Sequence, residues 1–287
     1  MNKWRERRIL AFAHQGGSFE GPSSTLYAIE RALTAGANAV ELDVHATKDR
    51  HLVVCHDETV DRTTNHHGAI ADFTLAEIRD MDNAYWWVEG EAATPGLNDE
   101  AYLLRGRAPR ERTLGIATLE EVCAAFPGVV LNLDIKQSDP EVEPYEALLS
   151  DDLTRLARRD SVIVASFHDA AIQRFRSLAS DVATSAATRE TADFFFSLDD
   201  DAPVVPPCVA FQVPSHFGEI DVVTERFVTA AHDADVAVHV WTINEVNEMA
   251  RLLDLGVDGV ITDTPSVLSA LLATRGGRWD AERGRRP

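Results

Sequence analysis

The chain has 287 residues, 45% hydrophobic and 26% charged, with a formal net charge of −20. That length supports one large core, no apolar run reaches membrane-spanning length, and the excess of acid excludes a nucleic-acid partner, which needs a basic face. The start, MNKWRERRILAFAHQGG, lacks the apolar stretch of a signal peptide, and Cys55, Cys123 and Cys208 have no metal-type spacing, so reduced thiols and a cytoplasmic location are expected.

Taken in order, the first strand-like run is RILAFA (8–13), ending at His14, followed by an amphipathic helical stretch over 24–36 with Gly36 as a C-cap. Residues 39–44, AVELDV, alternate strictly: Val40, Leu42 and Val44 face one way, Glu41, Asp43 and His45 the other. HLVVCHD (51–57) follows after a connector of about six residues, too short for a parallel crossover, so it should return antiparallel as a hairpin. Residues 58–117 are rich in turns and aromatics and are expected to form an insertion over the mouth of the domain. Further strands are predicted over 129–135, 161–167, 182–186, 208–213, 236–241 and 258–263, with helices over 169–180, 224–234 and 243–256.

Setting the hairpin aside leaves eight βα units, the count of a (β/α)8 TIM barrel. The expected organisation is a single catalytic domain over 1–275, with hairpin and insertion at 45–117, and a disordered tail over 276–287. A doubly wound open sheet is the alternative, but HQGGS (14–18) lacks the G-x-G-x-x-G spacing of a dinucleotide site.

Barrel chemistry sits at the C-terminal ends of the strands. Those ends carry His14, then Glu41 and Asp43, His56 on the returning hairpin, Asp134 and Lys136, Trp241 and Asp263. Glu41, Asp43 and Asp134 suit a hard divalent cation, Mg²⁺ or Ca²⁺, which would offset the cost of burying paired acids. His14 and His56 can exchange protons near neutrality as general base and general acid, with His14 the expected base. Lys136 supplies a fixed positive charge of the kind phosphoryl chemistry needs. His45, His51, His66 and His67 are assigned to the hairpin and its loop.

With these residues in place, the sequence resembles the glycerophosphodiester phosphodiesterase family nearly end to end. The likeness is carried by AHQGG (13–17), ELDVHATKDRHLVVCHDETVDRTTN (41–65), IATLEEV (116–122), LNLDIK (131–136), VWTIN (240–244) and GVDGVITDTP (256–265). The resemblance implies a barrel with an insertion after its second strand and a metal-dependent hydrolysis of glycerophosphodiesters or lysophospholipids. It implies His14 and His56 as catalytic, Glu41, Asp43 and Asp134 as metal ligands, and Lys136 as a substrate-phosphate group; Gln15, beside His14, and Trp241, at its strand end, are the further expected substrate-binding residues. The chain departs from the family in three places: Gln15 stands for the usual Arg, PSST (22–25) for Pro-Glu-Asn-Thr, and Asp134 for the usual Glu. Gln15 and the run Tyr85-Trp86-Trp87 look more like the lysophospholipase D-like branch, for which a transient membrane-surface contact and an aromatic groove for the acyl chain are expected. A non-catalytic phospholipid-binding barrel, and a barrel aldolase or isomerase using the same carboxylates, are the rival readings.

Overall fold

The computed structural model describes residues 2–6, 9–136, 146–199 and 203–275; the expected tail at 276–287 lies outside them. Eight parallel strands form the central sheet: β1 (Leu10–His14), β2 (Ala39–Ala46), β4 (Val130–Ile135), β5 (Val162–Ala165), β6 (Ala183–Thr184), β7 (Ala210–Pro214), β8 (Ala237–Trp241) and β9 (Gly259–Thr262). Each pairs with the next in sequence and β9 pairs with β1. Between β6 and β7 closure rests on a parallel bridge, Ser185 with Ala210, and on Val209 N donating to Thr184 O at 2.9 Å. The TIM-barrel expectation is therefore met. Strand β3 (Leu52–Val54) is the predicted hairpin return: it runs antiparallel to β2, with Val44 opposite Val54 and Ala46 opposite Leu52.

Helices α1 (Leu26–Thr34), α2 (Leu119–Ala125), α3 (Glu146–Arg155), α4 (Asp169–Leu178), α5 (Thr188–Phe196), α6 (Glu225–Asp233), α7 (Val246–Leu255) and α8 (Pro265–Thr274) follow the barrel strands in turn. Their ends obey local chemistry. Thr118 and Glu121 close a capping box on α2, Gly256 ends α7 at φ 90°, and Pro265 opens α8. None of the described helices is long and apolar enough to cross a membrane.

Two apolar clusters between helices and barrel hold most of the core. One centres on Phe194, Phe211 and Phe227, the other on Leu42, Leu133 and Phe175. The barrel interior is graded along its axis, as the period-two alternation of each strand requires. At the floor, Leu10, Phe12, Val130, Ile163 and Ile261 pack under Trp4, which is 1% exposed. Burying that ring contributes roughly 2–3 kcal/mol. Above lies a polar layer in which Gln212 Nε2 donates to Asn132 Oδ1 at 3.1 Å and lies 3.3 Å from His239 Nδ1. Gly259 makes room for that layer, because a Cβ there would stand 2.9 Å from His239 Cδ2 and 3.0 Å from Phe12. The next residues on the same faces are His14, Glu41, Asp43, Asp134 and Trp241, at the C-terminal mouth.

The insertion packs beside this mouth. Its first part buries Val60, Ile70, Ile78 and Met81 on Val53 and Cys55 of the hairpin. Its second part buries Trp87, Leu104 and Leu114 against Tyr27 of α1. Two hydrogen bonds tie it to the β1–α1 loop: Trp87 Nε1 donates to Ser18 O at 2.9 Å and Asn83 Nδ2 to Ser23 O at 2.9 Å.

Candidate active site

Parallel register sets the level of each functional group. His14 pairs with Glu41, and Asp43 with Asp134, so the first histidine and the acids project from neighbouring strands at the same end. All three carboxylates are buried: Glu41 is 6%, Asp43 1% and Asp134 6% exposed. Lys136 Nζ lies 3.2 Å from Asp43 Oδ1 and 3.2 Å from Asp134 Oδ2, bridging two of them. Glu41 Oε2 accepts from the Gln15 backbone N–H at 3.2 Å and lies 3.9 Å from His14 Nε2.

Crowding and burial raise the proton affinity of Glu41 and Asp134. Glu41 is pushed up to about 8, by burial first and then by the charge of Asp43. Asp134 rises to about 6, chiefly through burial, with Lys136 opposing and Asp43 reinforcing. Lys136 is itself raised, because Asp43, Asp134 and Glu41 outweigh its burial.

Hydrogen-bond accounting exposes a deficit. Asp43 Oδ2 and Asp134 Oδ1 are buried and accept no hydrogen bond, and Asp43 Oδ1 has only the Lys136 ammonium beside it. Buried carboxylate oxygens without donors are costly, and they are the ligand type a hard cation uses. Among the described residues no group of three or more His, Cys, Asp or Glu side chains stands already gathered as a metal cluster. The Lys136 ammonium instead partly balances the charge.

The two histidines face each other across the mouth, ring centroids 6.3 Å apart and planes at 82°. Each is held at Nδ1 by an aspartate. His14 Nδ1 donates to Asp263 Oδ1 at 2.6 Å. Asp263 also accepts from Ser18 Oγ at 2.6 Å and Asn244 Nδ2 at 2.8 Å. His56 Nδ1 donates to Asp57 Oδ1 at 2.7 Å, and Asp57 accepts from Arg62 Nε at 2.6 Å and Nη2 at 3.1 Å. Burial disfavours a charged His14, yet the Asp263 hydrogen bond and the charges of Glu41, Asp263 and Asp43 raise it to about 9. Despite burial, His56 and Arg62 hold Asp57 well below the usual carboxylate range.

Gln15 and Ser23, two of the family departures, are bonded to each other: Ser23 Oγ donates to Gln15 Oε1 at 2.6 Å. That turns the Gln15 amide nitrogen toward His14 Nε2, 3.3 Å away. Turned end for end, the same amide would offer its oxygen to a protonated His14. The loop needs its glycines, since Gln15, Gly16 and Gly17 take φ of 51°, 82° and 93° in succession.

Beside His56, a cavity of about 460 Å³ is lined by His56, Asp57, Glu58, Thr59, Ile135, Lys136, Phe167 and His168. Phe167 is 51% exposed, meets Trp241 edge-to-face at 5.5 Å, and has the Lys136 ammonium 5.5 Å from its ring centroid. The insertion aromatics do not line this cavity. Trp87 is buried in the insertion core, and Tyr85 and Trp86 pack with Tyr102 around Arg105, whose guanidinium lies 4.3, 4.7 and 3.6 Å from the three rings. The aromatic residue that lines the cavity is Phe167, with Trp241 packed against it.

Sequence reading brought His14, His56, the three acids, Lys136 and Trp241 to one mouth, and the structure gathers all of them there. It left Asp57, Arg62, Asp263, Asn244 and Phe167 without roles. His45, assigned only to the hairpin, is buried on the Glu41–Asp43 face, with Nε2 3.5 Å from the His56 carbonyl. The alternation of β2 already carried that signal.

Comparison with known proteins agrees with the geometry. The model of the Glycerophosphoryl diester phosphodiesterase family matches residues 14–267. A glycerophosphodiester phosphodiesterase of Caldanaerobacter subterraneus is 30% identical over 272 residues, covering 94% of this chain and all of that protein. A probable glycerophosphodiester phosphodiesterase of Mycobacterium tuberculosis is 30% identical over 94% of this chain and 93% of its own length. Among solved structures, an Oleispira antarctica phosphodiesterase in complex with the product sn-glycerol-3-phosphate superposes with a TM-score of 0.67 at 21% identity, covering 93% of this chain and 97% of that one. With a family match across most of its length and the paired histidines and acids at the barrel mouth, the chain belongs to the glycerophosphoryl diester phosphodiesterase family.

Proposed function

We propose that the protein hydrolyses glycerophosphodiesters, releasing an alcohol and glycerol phosphate, with His14 and His56 as the proton-transfer pair and Glu41, Asp43 and Asp134 as ligands of a divalent cation. The observation that carries this reading is the pair of facing histidines, each backed by an aspartate, beside buried carboxylate oxygens that lack donors. A hard cation, Mg²⁺ or Ca²⁺, fits those oxygens and would supply charge stabilisation at the phosphate.

The chain's own groups divide the remaining work. Lys136 presents positive charge at the cavity wall and draws the phosphate toward the acids. His14, surrounded by carboxylates, holds a proton at Nε2 and donates it to the leaving alcohol oxygen. His56, whose aspartate is balanced by Arg62, takes the proton of the attacking water or neighbouring glycerol hydroxyl at Nε2. These roles reverse the sequence-based expectation of His14 as base, and the difference comes from the charges around each ring.

The finer substrate reading, a lysophospholipid, is supported by Phe167 and Trp241 beside the cavity, since each buried methylene of an acyl chain adds about 0.8 kcal/mol. The test is release of choline or ethanolamine from glycerophosphodiesters and lysophospholipids, measured after chelation and after adding Mg²⁺ or Ca²⁺. Loss on chelation and recovery with cation is expected. Full turnover in excess chelator after prolonged dialysis would remove the cation from the mechanism.

A further inference from the structure

Arg62 stands behind the histidine pair, and the proposed chemistry uses it only as a charge balancing Asp57. It grips Asp57 with two nitrogens, Nε to Oδ2 at 2.6 Å and Nη2 to Oδ1 at 3.1 Å. Asp57 Oδ1 is the same atom that receives His56 Nδ1 at 2.7 Å. A bidentate guanidinium–carboxylate pair is directional as well as strong, so it fixes the plane of the carboxylate that in turn fixes the imidazole.

The segment carrying Arg62 is itself pinned. Val60 N donates to Gly68 O at 3.0 Å, Thr64 N to Val60 O at 3.1 Å, and Thr64 Oγ1 to Val60 O at 2.8 Å, with Val60 and Thr64 fully buried. Thr59 bridges Ala69 across the base of this loop. Arg62 is not among the cavity-lining residues, whereas His56 and Asp57 are. The other histidine has a different support, since Asp263 is held by the neutral donors Ser18 and Asn244. The two histidine–aspartate pairs therefore differ by one unit of charge.

We propose that Arg62 is a positioning residue that acts only through Asp57, fixing the plane of that carboxylate and with it the His56 ring toward the mouth. This rests on the reading of His56 as a catalytic group. The Lys136 charge serves the phosphate, while the Arg62 fork serves the base.

The test uses the full chain with divalent cation and glycerophosphocholine as substrate. Arg62→Met is expected to lower kcat about ten- to hundredfold with KM within about twofold of the parent, a share of the usual worth of acid–base catalysis. Arg62→Lys, which restores charge without the fork, should recover part of that loss. Adding Arg62→Met to Asp57→Asn, or to His56→Ala, should cost nothing further, because the route through Asp57 is already cut. A rise in KM with kcat retained would make Arg62 a substrate ligand and overturn the proposal. So would a full additional loss in the His56→Ala background, which would reveal a route independent of His56. An inactive His56→Ala beside a fully active Arg62→Met would overturn the Arg62 role alone, whereas a fully active His56→Ala would overturn the catalytic reading as well. Should Arg62→Met fail to melt cooperatively, Arg62→Gln and Arg62→Lys in the same two backgrounds give the same comparison.

Discussion

Glu41→Gln should separate what the acid cluster does for function from what it does to stability. Glu41 titrates at about 8 in the fold against 4.5 in the unfolded chain, because burial and Asp43 disfavour its charge. The raised value sets the sign: the unfolded chain gives up this proton near pH 4.5, and the native state keeps it until about 8. The group therefore destabilises the cation-free protein progressively across that window. At about pH 7.5 the full difference corresponds to up to about 4 kcal/mol, and relaxation around the coupled acids reduces it to roughly 2 kcal/mol. Gln keeps an acceptor for the Gln15 N–H and carries no charge. In chelator, Glu41→Gln should thus melt about 3–4 °C above the parent at that pH, and the two should converge near pH 4.5. Adding Mg²⁺ or Ca²⁺ should raise the parent's Tm more than the variant's, while the variant's kcat falls at least about a hundredfold. Thermal melts across pH, with and without cation, check each point. A chelated variant that melts at or below the parent, or a parent whose Tm is flat from pH 5 to 8, would refute the reasoning.

Asp263→Asn removes the charge that His14 Nδ1 meets at 2.6 Å and lets an amide N–H face that nitrogen, favouring the wrong tautomer; kcat should fall about 10²- to 10³-fold with KM little changed, as steady-state kinetics would show. Trp87→Ala should cost about 3 kcal/mol in urea unfolding and lower activity on glycerophosphocholine and lysophosphatidylcholine alike, because the ring is packed inside the insertion and bonded to Ser18. Phe167→Ala, by contrast, should selectively lower kcat/KM on lysophosphatidylcholine by about tenfold, since its ring is half exposed beside the cavity; equal losses on both substrates would place the acyl chain elsewhere.

Much of this protein was legible because strand chemistry is local. Alternation along β2 put Glu41 and Asp43 on one face before any partner was known, and a six-residue connector left the hairpin no parallel alternative. Counting βα units then implied closure, and closure implied that strand ends share a mouth. What alternation cannot convey is which group a side chain meets across the barrel. Asp263 reaches His14 only because β9 closes onto β1. Ser23 orients Gln15 only because the β1–α1 loop folds back through three left-handed residues, which turns two separate departures from the family pattern into one bonded pair. Aromatic residues show the same limit: Tyr85, Trp86 and Trp87 announce apolar area, but their use in the insertion core, and the exposure of Phe167 instead, depend on neighbours distant in the chain. The sequence by itself determined the barrel, its acid-bearing strands and its two histidines, since these follow from periodicity and order. Only tertiary structure decided which aspartate backs which histidine, and that one of them is charge-balanced by Arg62, because electrostatic environment is set by distances in space and not by spacing along the chain.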